Sequence, residues 1–558
     1  MTTKRRFDLK PAGRVAGSAL LFLVIPVVFF VAVAQLTRAK GPQWLAFSFE
    51  NPYNYLMNSL LLVTGRTPSS IEHPGTTTQV FGAMVLRVSS MKSADDLVTS
   101  VLQNPEKNIQ TLHRALLTLT AMILWLGPWI TASLLRNLIV GLLIQMPCLF
   151  YQTLLDFGTL FGSDLMVVPF SVIAICCCTL LVAPSSYPQS LQILLGITDR
   201  STHSGSTRFT AIPLIATIAG LVCAFGMVTK LDFFPLVLVS LVCCQSSRNL
   251  VAFAVAFLLG LLFALLPIYS QLPRLVSWCF GLVIHSDVYA SGPIGLPSPA
   301  VYFSSLRDLL DSAPLLLIVQ VVTVILLTIA SFIPAQPRLV RPVSLRLGWA
   351  VFVAQLISLL TVAKHPAEHY LIPLCITTGL NLVLVLFAFQ SGEESVVRRA
   401  IGWLALASLL VVGLTNFVQE TPTRCADLRK KTADFLRLYK HAQEIAINNR
   451  RVDYFFSDSP EYALCYGNDF AAKAFGQQLS NLYPDRLFFE MFTARFETFT
   501  DSIEPKVELQ KYDHLYFFGT KGHLPTVDGL DPARFETIDH AGDIYLDGDI
   551  YLEKWTRP

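Results

Sequence analysis

The sequence predicts an α-helical polytopic membrane protein with a C-terminal α/β soluble domain. Three observations carry this. Of 558 residues, 53% are hydrophobic and only 15% charged, against roughly 25% charged in soluble domains. Apolar runs close to the roughly 20 residues needed to cross a bilayer recur along the chain. After Thr415 the composition turns polar, and strand-like and helix-like patterns alternate. The net charge of +3 gives no case for a nucleic-acid partner.

The chain opens on a basic segment, MTTKRRFDLKPAGR, followed by a first apolar run at 15–36. No A-x-A-type cleavage site follows it, so it is expected to be retained as a span. Further runs lie at 112–134, 138–151, 164–182, 209–228, 233–244, 251–269, 313–332, 347–362, 370–389 and 401–417, about 11 spans in all. The third and sixth are short, as kinked spans can be. The expected division is a multi-pass domain at 1–420, with a long first outer loop at 38–110, and an α/β domain at 421–558.

Charge placement sets the expected orientation. With the N-terminus cytoplasmic, short loops on that side carry Arg136, Arg200, Arg208, Arg248, Arg338, Arg341, Arg346, Arg398 and Arg399. The opposite connecting loops carry Lys230, Arg274, Arg307 and Lys364. An odd span count then makes the C-terminal domain extracytoplasmic. The chain has no Asn-x-Ser/Thr sequon, which favours a bacterial source, and the expected location is a bacterial inner (plasma) membrane.

The stretch 49–75, FENPYNYLMNSLLLVTGRTPSSIEHPG, organises the first outer loop. Asn51 is suited to cap a helix, Pro52 to its first position and Gly65 to its end. Tyr53, Leu56, Leu60 and Val63 fall on one face, predicting a helix on the membrane surface with Glu50, Glu72 and His73 near its ends. A second amphipathic run follows at 76–91. Sorted by side, other ionisable groups share that outer face: Asp164 in DFGTLFGSDL, Lys230 and Asp232 in MVTKLDFFP, and Lys364, His365, Glu368 and His369 in VAKHPAEHYLIP. The outer loop at 271–312 reads as turn-rich, helical again at 304–310, and is a candidate lid.

In the C-terminal domain, 424–448 predicts a helix, and Ser459 and Pro460 predict the start of a second, reaching about Leu482. Strands are expected at 452–456, 487–492, 514–519, 535–539 and 550–555. No Gly-rich phosphate loop or nucleophile elbow sits at their ends, so the domain reads as a binding or packing module. Cys425 and Cys465, the two cysteines outside apolar runs, could pair in an oxidising compartment. The triplet Cys176–Cys177–Cys178 points three ways on a helix and reads as core packing, not a metal site.

An acid after the first span, a Tyr-rich amphipathic helix, Gly65-x-x-Pro68, then Glu72-His73-Pro74-Gly75 resembles the first outer loop of GT-C membrane glycosyltransferases, the group of protein mannosyltransferases and the aminoarabinose transferase of lipid A. FGSDLMVV, VTKLDFFPLVLV and HYLIPL resemble three further segments of that group, in the same order, over residues 1–420. Where the family usually has aspartate as its first acid, this chain has Glu50, and Glu72 competes for the place.

The resemblance implies a GT-C-like fold and a glycosyltransferase of the cell envelope that moves a sugar from a polyprenyl-phosphate donor to an acceptor at the extracytoplasmic face. One displacement would invert the anomeric centre, with a carboxylate removing the acceptor proton. Glu50 is the expected base, Glu72 its rival, and Asp164 either orients the acceptor or shares the role. Lys364, His365, His369 and Arg66 are the expected cations for the donor phosphate. His73, Tyr53, Lys230 and Glu368 are further candidates. The implied partners are the polyprenyl-phosphate sugar, membrane lipid, and a lipid, glycan or protein acceptor. Some relatives use a divalent cation, but no compact ligand cluster is evident in the sequence, so no metal or other cofactor is expected. Two rival classes remain open: a transporter or lipid flippase, and a non-catalytic receptor or assembly protein.

Overall fold

The computed structural model describes residues 10–45, 51–71, 75–182, 211–286, 292–295, 297–332, 340–390, 396–454, 457–490, 493–520, 530, 532–545 and 548–557. Among them, seven helices are long and apolar enough to cross a membrane: Ala19–Lys40, Pro105–Leu135, Ser163–Val182, Ser247–Ile284, Pro314–Phe332, Val343–Val362 and Glu368–Phe389. Each of the eleven apolar runs falls on a helix in its described part. The short third run is a broken pair, Leu138–Phe150 and Gln152–Gly158, bent by 71°. The short sixth is the apolar helix Leu231–Cys243. These are the features of an α-helical membrane protein with a C-terminal sheet region.

The elements used below are α1 (Lys10–Lys40), α2 (Pro52–Val63), α3 (Thr76–Ser89), α4 (Ala94–Gln103), α5 (Pro105–Leu135), α6 (Leu138–Gln145), α7 (Pro147–Phe150), α8 (Gln152–Gly158) and α9 (Ser163–Val182). After them come α10 (Ala211–Thr229), α11 (Phe234–Cys243), α12 (Ser247–Leu265), α13 (Leu272–Ile284), α14 (Pro299–Ser312), α15 (Pro314–Phe332), α16 (Val340–Val362), α17 (Ile372–Gln390) and α18 (Val396–Ala446).

Two spans form the centre. The apolar windows of Ser163–Val182 and Glu368–Phe389 are 83% and 100% buried, whereas those of α1, α12 and α15 are about one-third buried and face outward. A helix apolar all round belongs inside such a bundle. Close packing needs small residues where backbones meet. At the α10–α12 crossing a Cβ on Gly220 would strike the backbone carbonyl of Phe253, and one on Gly260 would lie 2.8 Å from Ala224 Cβ. Prolines inside α1 (Pro26), α5 (Pro128) and α9 (Pro169) are tolerated, because neighbouring helices satisfy the freed backbone groups.

Several expectations are corrected. The helix α2 does not lie on a surface. Its predicted face is buried, but so are Asn54, Tyr55, Met57, Asn58, Ser59 and Leu61. One side packs on α3 and another on the C-terminal helix α19 (Pro460–Asp469). The helix is amphipathic as expected, but Asn58 and Ser59 on its polar face make their hydrogen bonds to protein groups instead of water. The 271–312 segment is mostly helical, as α13 and α14, joined through a His285–Ile294 bridge. Its apolar residues Val276, Phe280, Val301 and Phe303 point outward.

The last apolar run and the expected 424–448 helix are one 51-residue helix, α18, with Pro422 inside it. Its C-terminal part packs against a sheet of order β4-β3-β2-β1-β5-β7-β6. Its strands are β1 (Arg451–Asp453), β2 (Leu487–Glu490), β3 (Arg495–Glu497), β4 (Ser502–Ile503), β5 (His514–Thr520), β6 (Phe535–Tyr545) and β7 (Gly548–Thr556). The β1 strand runs parallel to β2 and β5, and the other pairings are antiparallel. The five expected strands are present, while β3 and β4 carry too few residues for a period-2 signal. The expected long helix from Ser459 is broken into α19 and α20 (Gly476–Leu482). Asn468 causes the break: its side chain donates to Phe499 O and accepts from Phe475 N, holding a turn with Ala472 and Lys473 at positive φ. Cys425 and Cys465 are both free, buried thiols.

Candidate functional site

Four sequence segments far apart in the chain meet at one end of the bundle. Asp164, in the first turn of α9, accepts a bond from Lys230 Nζ at 2.6 Å, and both side chains are buried, at 9% and 0% exposure. Lys230 owes its position to the break after α10, where the chain turns into a single 3-10 turn at Leu231–Phe233. Its ammonium lies 4.9 Å from the ring centre of Tyr370. Tyr370 in turn meets the His369 ring edge-on at 4.2 Å, and His369 lies 5.1 Å from the Phe157 ring. Charge pairing and cation–π contact together hold the lysine where an unpaired ammonium would be expelled.

A second ion pair stands at the α8 end of the same turn. Arg424, on α18, bonds Asp156 at 2.8 Å, with exposures of 38% and 24%. Glu368 feels the charges of both. Lys40, at the end of α1, feels Asp156 and donates to Thr159 Oγ1 at 3.5 Å. Phe157, between Asp156 and Gly158, ties this pair to the His369 ring. Asp156 and Arg424 were not singled out in the sequence. Asp156 had a signal, since it begins the same DFGTLFGSDL segment as Asp164. Arg424 had none, because a cation at the start of a polar helix is ordinary.

Other expected site residues lie apart from this group. Lys364 donates to the carbonyls of Leu282 and Val283 at 2.8 and 2.7 Å, and His365 Nε2 sits 3.2 Å from Leu282 O. Both cap the C-terminal end of α13, where free carbonyls favour a cation. Partial desolvation lowers the Lys364 pKa. Lys364→Met should therefore loosen the α13–α14 segment, raising its hydrogen exchange while changing global stability by about 1 kcal/mol or less. Protection unchanged from wild type would remove the capping role.

Arg66 lies 4.8 Å from the Phe475 ring, facing the C-terminal region. Tyr53 reaches Glu106 Oε2 at 3.5 Å, and burial, then the Glu106 charge, push its phenol pKa well up. The helix that presents Tyr53 forms as predicted: Asn51 accepts from Tyr53 N at 2.9 Å, and Arg66 N returns to Leu61 O at 2.8 Å past the end. Glu50, Glu72 and His73 lie outside the described residues. Asn58 fastens the rest of the segment. Its amide donates to Asn54 O and Phe470 O and accepts from Ser69 N and Ser70 N.

Chemically, the group offers two carboxylate–cation pairs of different character. Asp164–Lys230 is dry and locked, and suits positioning. Asp156–Arg424 is partly open, so both partners can exchange for a ligand's hydroxyl or anionic oxygen. The Cys176–Cys178 triplet does diverge: Cys176 faces Gly127, while Cys178 lies 3.4 Å from Ser240 Oγ on α11. No family model matches this chain, and no curated protein or solved structure matches it.

Proposed function

We propose that the protein is a GT-C-type membrane glycosyltransferase that moves a sugar from a polyprenyl-phosphate donor to an acceptor at the outer membrane face. In this reading the chain crosses a bacterial inner membrane about 11 times. The N-terminus is cytoplasmic, residues 1–420 form the transferase domain, and residues 421–558 lie in the periplasm. The observation that carries it is the convergence of Asp156, Asp164, Lys230, His369, Tyr370 and Arg424 from four separated segments. An inverting displacement needs a carboxylate for the acceptor proton and fixed cations for the leaving phosphate.

Glu50 remains the proposed base, with Glu72 its rival. Asp164, already matched by Lys230, supports the site's geometry, and Asp156 is added as the acceptor-facing carboxylate. Arg424 and His369, both in this group, are the cationic candidates for the phosphate; Lys364, His365 and Arg66 would have to act from the loops they anchor. The test is transfer from labelled polyprenyl-phosphate sugars by purified protein and extracted membrane acceptors. Glu50→Gln and Asp156→Asn should each lower turnover by roughly 10²–10⁴-fold without changing the folded state. Full activity in both variants would end this assignment.

A second reading, a transporter or flippase, draws on the 71° break between α7 and α8 and on the buried Lys40, Lys230 and Asp164. Broken helices and intramembrane charges are common in transporters. Substrate uptake into vesicles without covalent transfer would favour it.

A further inference from the structure

Away from this group, the C-terminal region gathers three metal-binding residue types that the sequence disperses. Cys465 and Asp469 are four apart on α19 and share one face. Glu497 ends β3, paired with Phe488 of β2, and faces them across the layer. One ligand atom from each lies within 4.8 Å of the other two. Cys465 and Glu497 are buried, and Glu497 Oε2 and Asp469 Oδ1 are enclosed without a hydrogen-bond partner.

Two carboxylates so close to each other need a cation or a shared proton. Lys473 reaches over both, at 3.6 Å from Asp469 Oδ1 and 3.5 Å from Glu497 Oε1. Those separations exceed the roughly 2.7–2.9 Å of a tight charge-assisted bond. Its side chain is 34% exposed, so it can swing into solvent. Ligands around a tetrahedral ion at about 2.0–2.3 Å stand roughly 3.3–3.8 Å apart, so a small closure would suffice. A thiol with two carboxylates suits a borderline-soft ion, whereas magnesium and calcium prefer oxygen alone.

We propose that Cys465, Asp469 and Glu497 bind a zinc-class divalent ion, with Lys473 as the cation that holds the site when no metal is there. Binding releases the thiol proton and moves the Lys473 ammonium outward. The ion then ties α19 to β3. It does so two residues from Gly467, whose Cβ would lie 2.7 Å from Tyr53 O, so it stiffens the surface on which α2 rests.

The experiment uses the full-length protein in detergent, stripped with chelator and titrated with Co²⁺ as the probe. One equivalent should bring up a thiolate-to-cobalt charge-transfer band in the near ultraviolet, and added Zn²⁺ should abolish it. C465S should lose the band, E497Q should weaken binding roughly tenfold or more, and K473M should tighten it. Should C465S fail to fold, E497Q and K473M decide on the same band. No band in the wild type, a band retained in C465S, or unchanged affinity in both E497Q and K473M would overturn the proposal.

Discussion

Replacing Lys230 with methionine is expected to be among the most damaging single changes in the membrane part. The substitution keeps the volume and apolar stem but strips the charge from a pair 2.6 Å apart and nearly free of solvent. Asp164 would then be a carboxylate buried at 7% exposure without the ammonium it bonds at 2.6 Å. Breaking one partner of a buried pair typically destabilises by about 3–5 kcal/mol. Thermal unfolding in detergent, followed by fluorescence-detected size exclusion, should show a large fall in the transition temperature for K230M. The double variant K230M/D164N should recover much of it, because the stranded charge is gone. A double variant no better than the single one would mean that the lysine acts chiefly through packing against Tyr370. The experiment also separates positioning from chemistry: under the proposed transferase reading, if Asp164 only braces the site, the double variant retains more transfer activity than Glu50→Gln does.

The second large effect is expected at Asn58. This residue is fully buried, and all four of its side-chain hydrogen bonds are made. Two go to the loop after α2 and one to Phe470 in the C-terminal region. N58L removes them together and leaves partly buried backbone N–H and C=O groups unmatched, at about 1–3 kcal/mol for each group left without a partner. N58D retains the acceptor side toward Ser69 and Ser70 but places a carboxylate against the Phe470 carbonyl. Limited proteolysis should therefore release the C-terminal region faster in both variants, while the 65–71 loop opens faster only in N58L. Equal resistance of N58L and wild type would show that α2 is held by its apolar contacts alone. Gly467→Val tests the same contact from the other side, since a side chain there meets backbone, which cannot yield.

Much of the helical layout was legible in the sequence, and the reason is local. A bilayer-length apolar run announces itself within one window, and α1, α9, α15 and α17 all fall where their runs predicted. Caps are equally local: Asn51 and Ser459 accept the N-terminal amides that their residue types suit. Partnership was not legible. The amphipathic pattern of α2 states that one face is apolar, but not that the Asn and Ser face will meet α3 and α19. The break between α19 and α20 rests on Asn468 reaching Phe499, 31 residues away.

The same division runs through the candidate site. Residue types and the side on which they fall marked Asp164, Lys230 and His369 as worth attention, and short-range pattern could do that much. That Asp164 meets Lys230 across 66 residues, that Asp156 meets Arg424 rather than Lys364, and that Lys364 and His365 cap α13 instead, were decided by the tertiary structure. The physical reason is that a buried charge takes whichever opposite charge or carbonyl the packed helices bring within reach. The sequence determined which segments are apolar enough to cross a membrane and which carry ionisable groups beside them; the packing of α8, α9 and α18 decided which of those groups neutralise one another and which stay partly exposed.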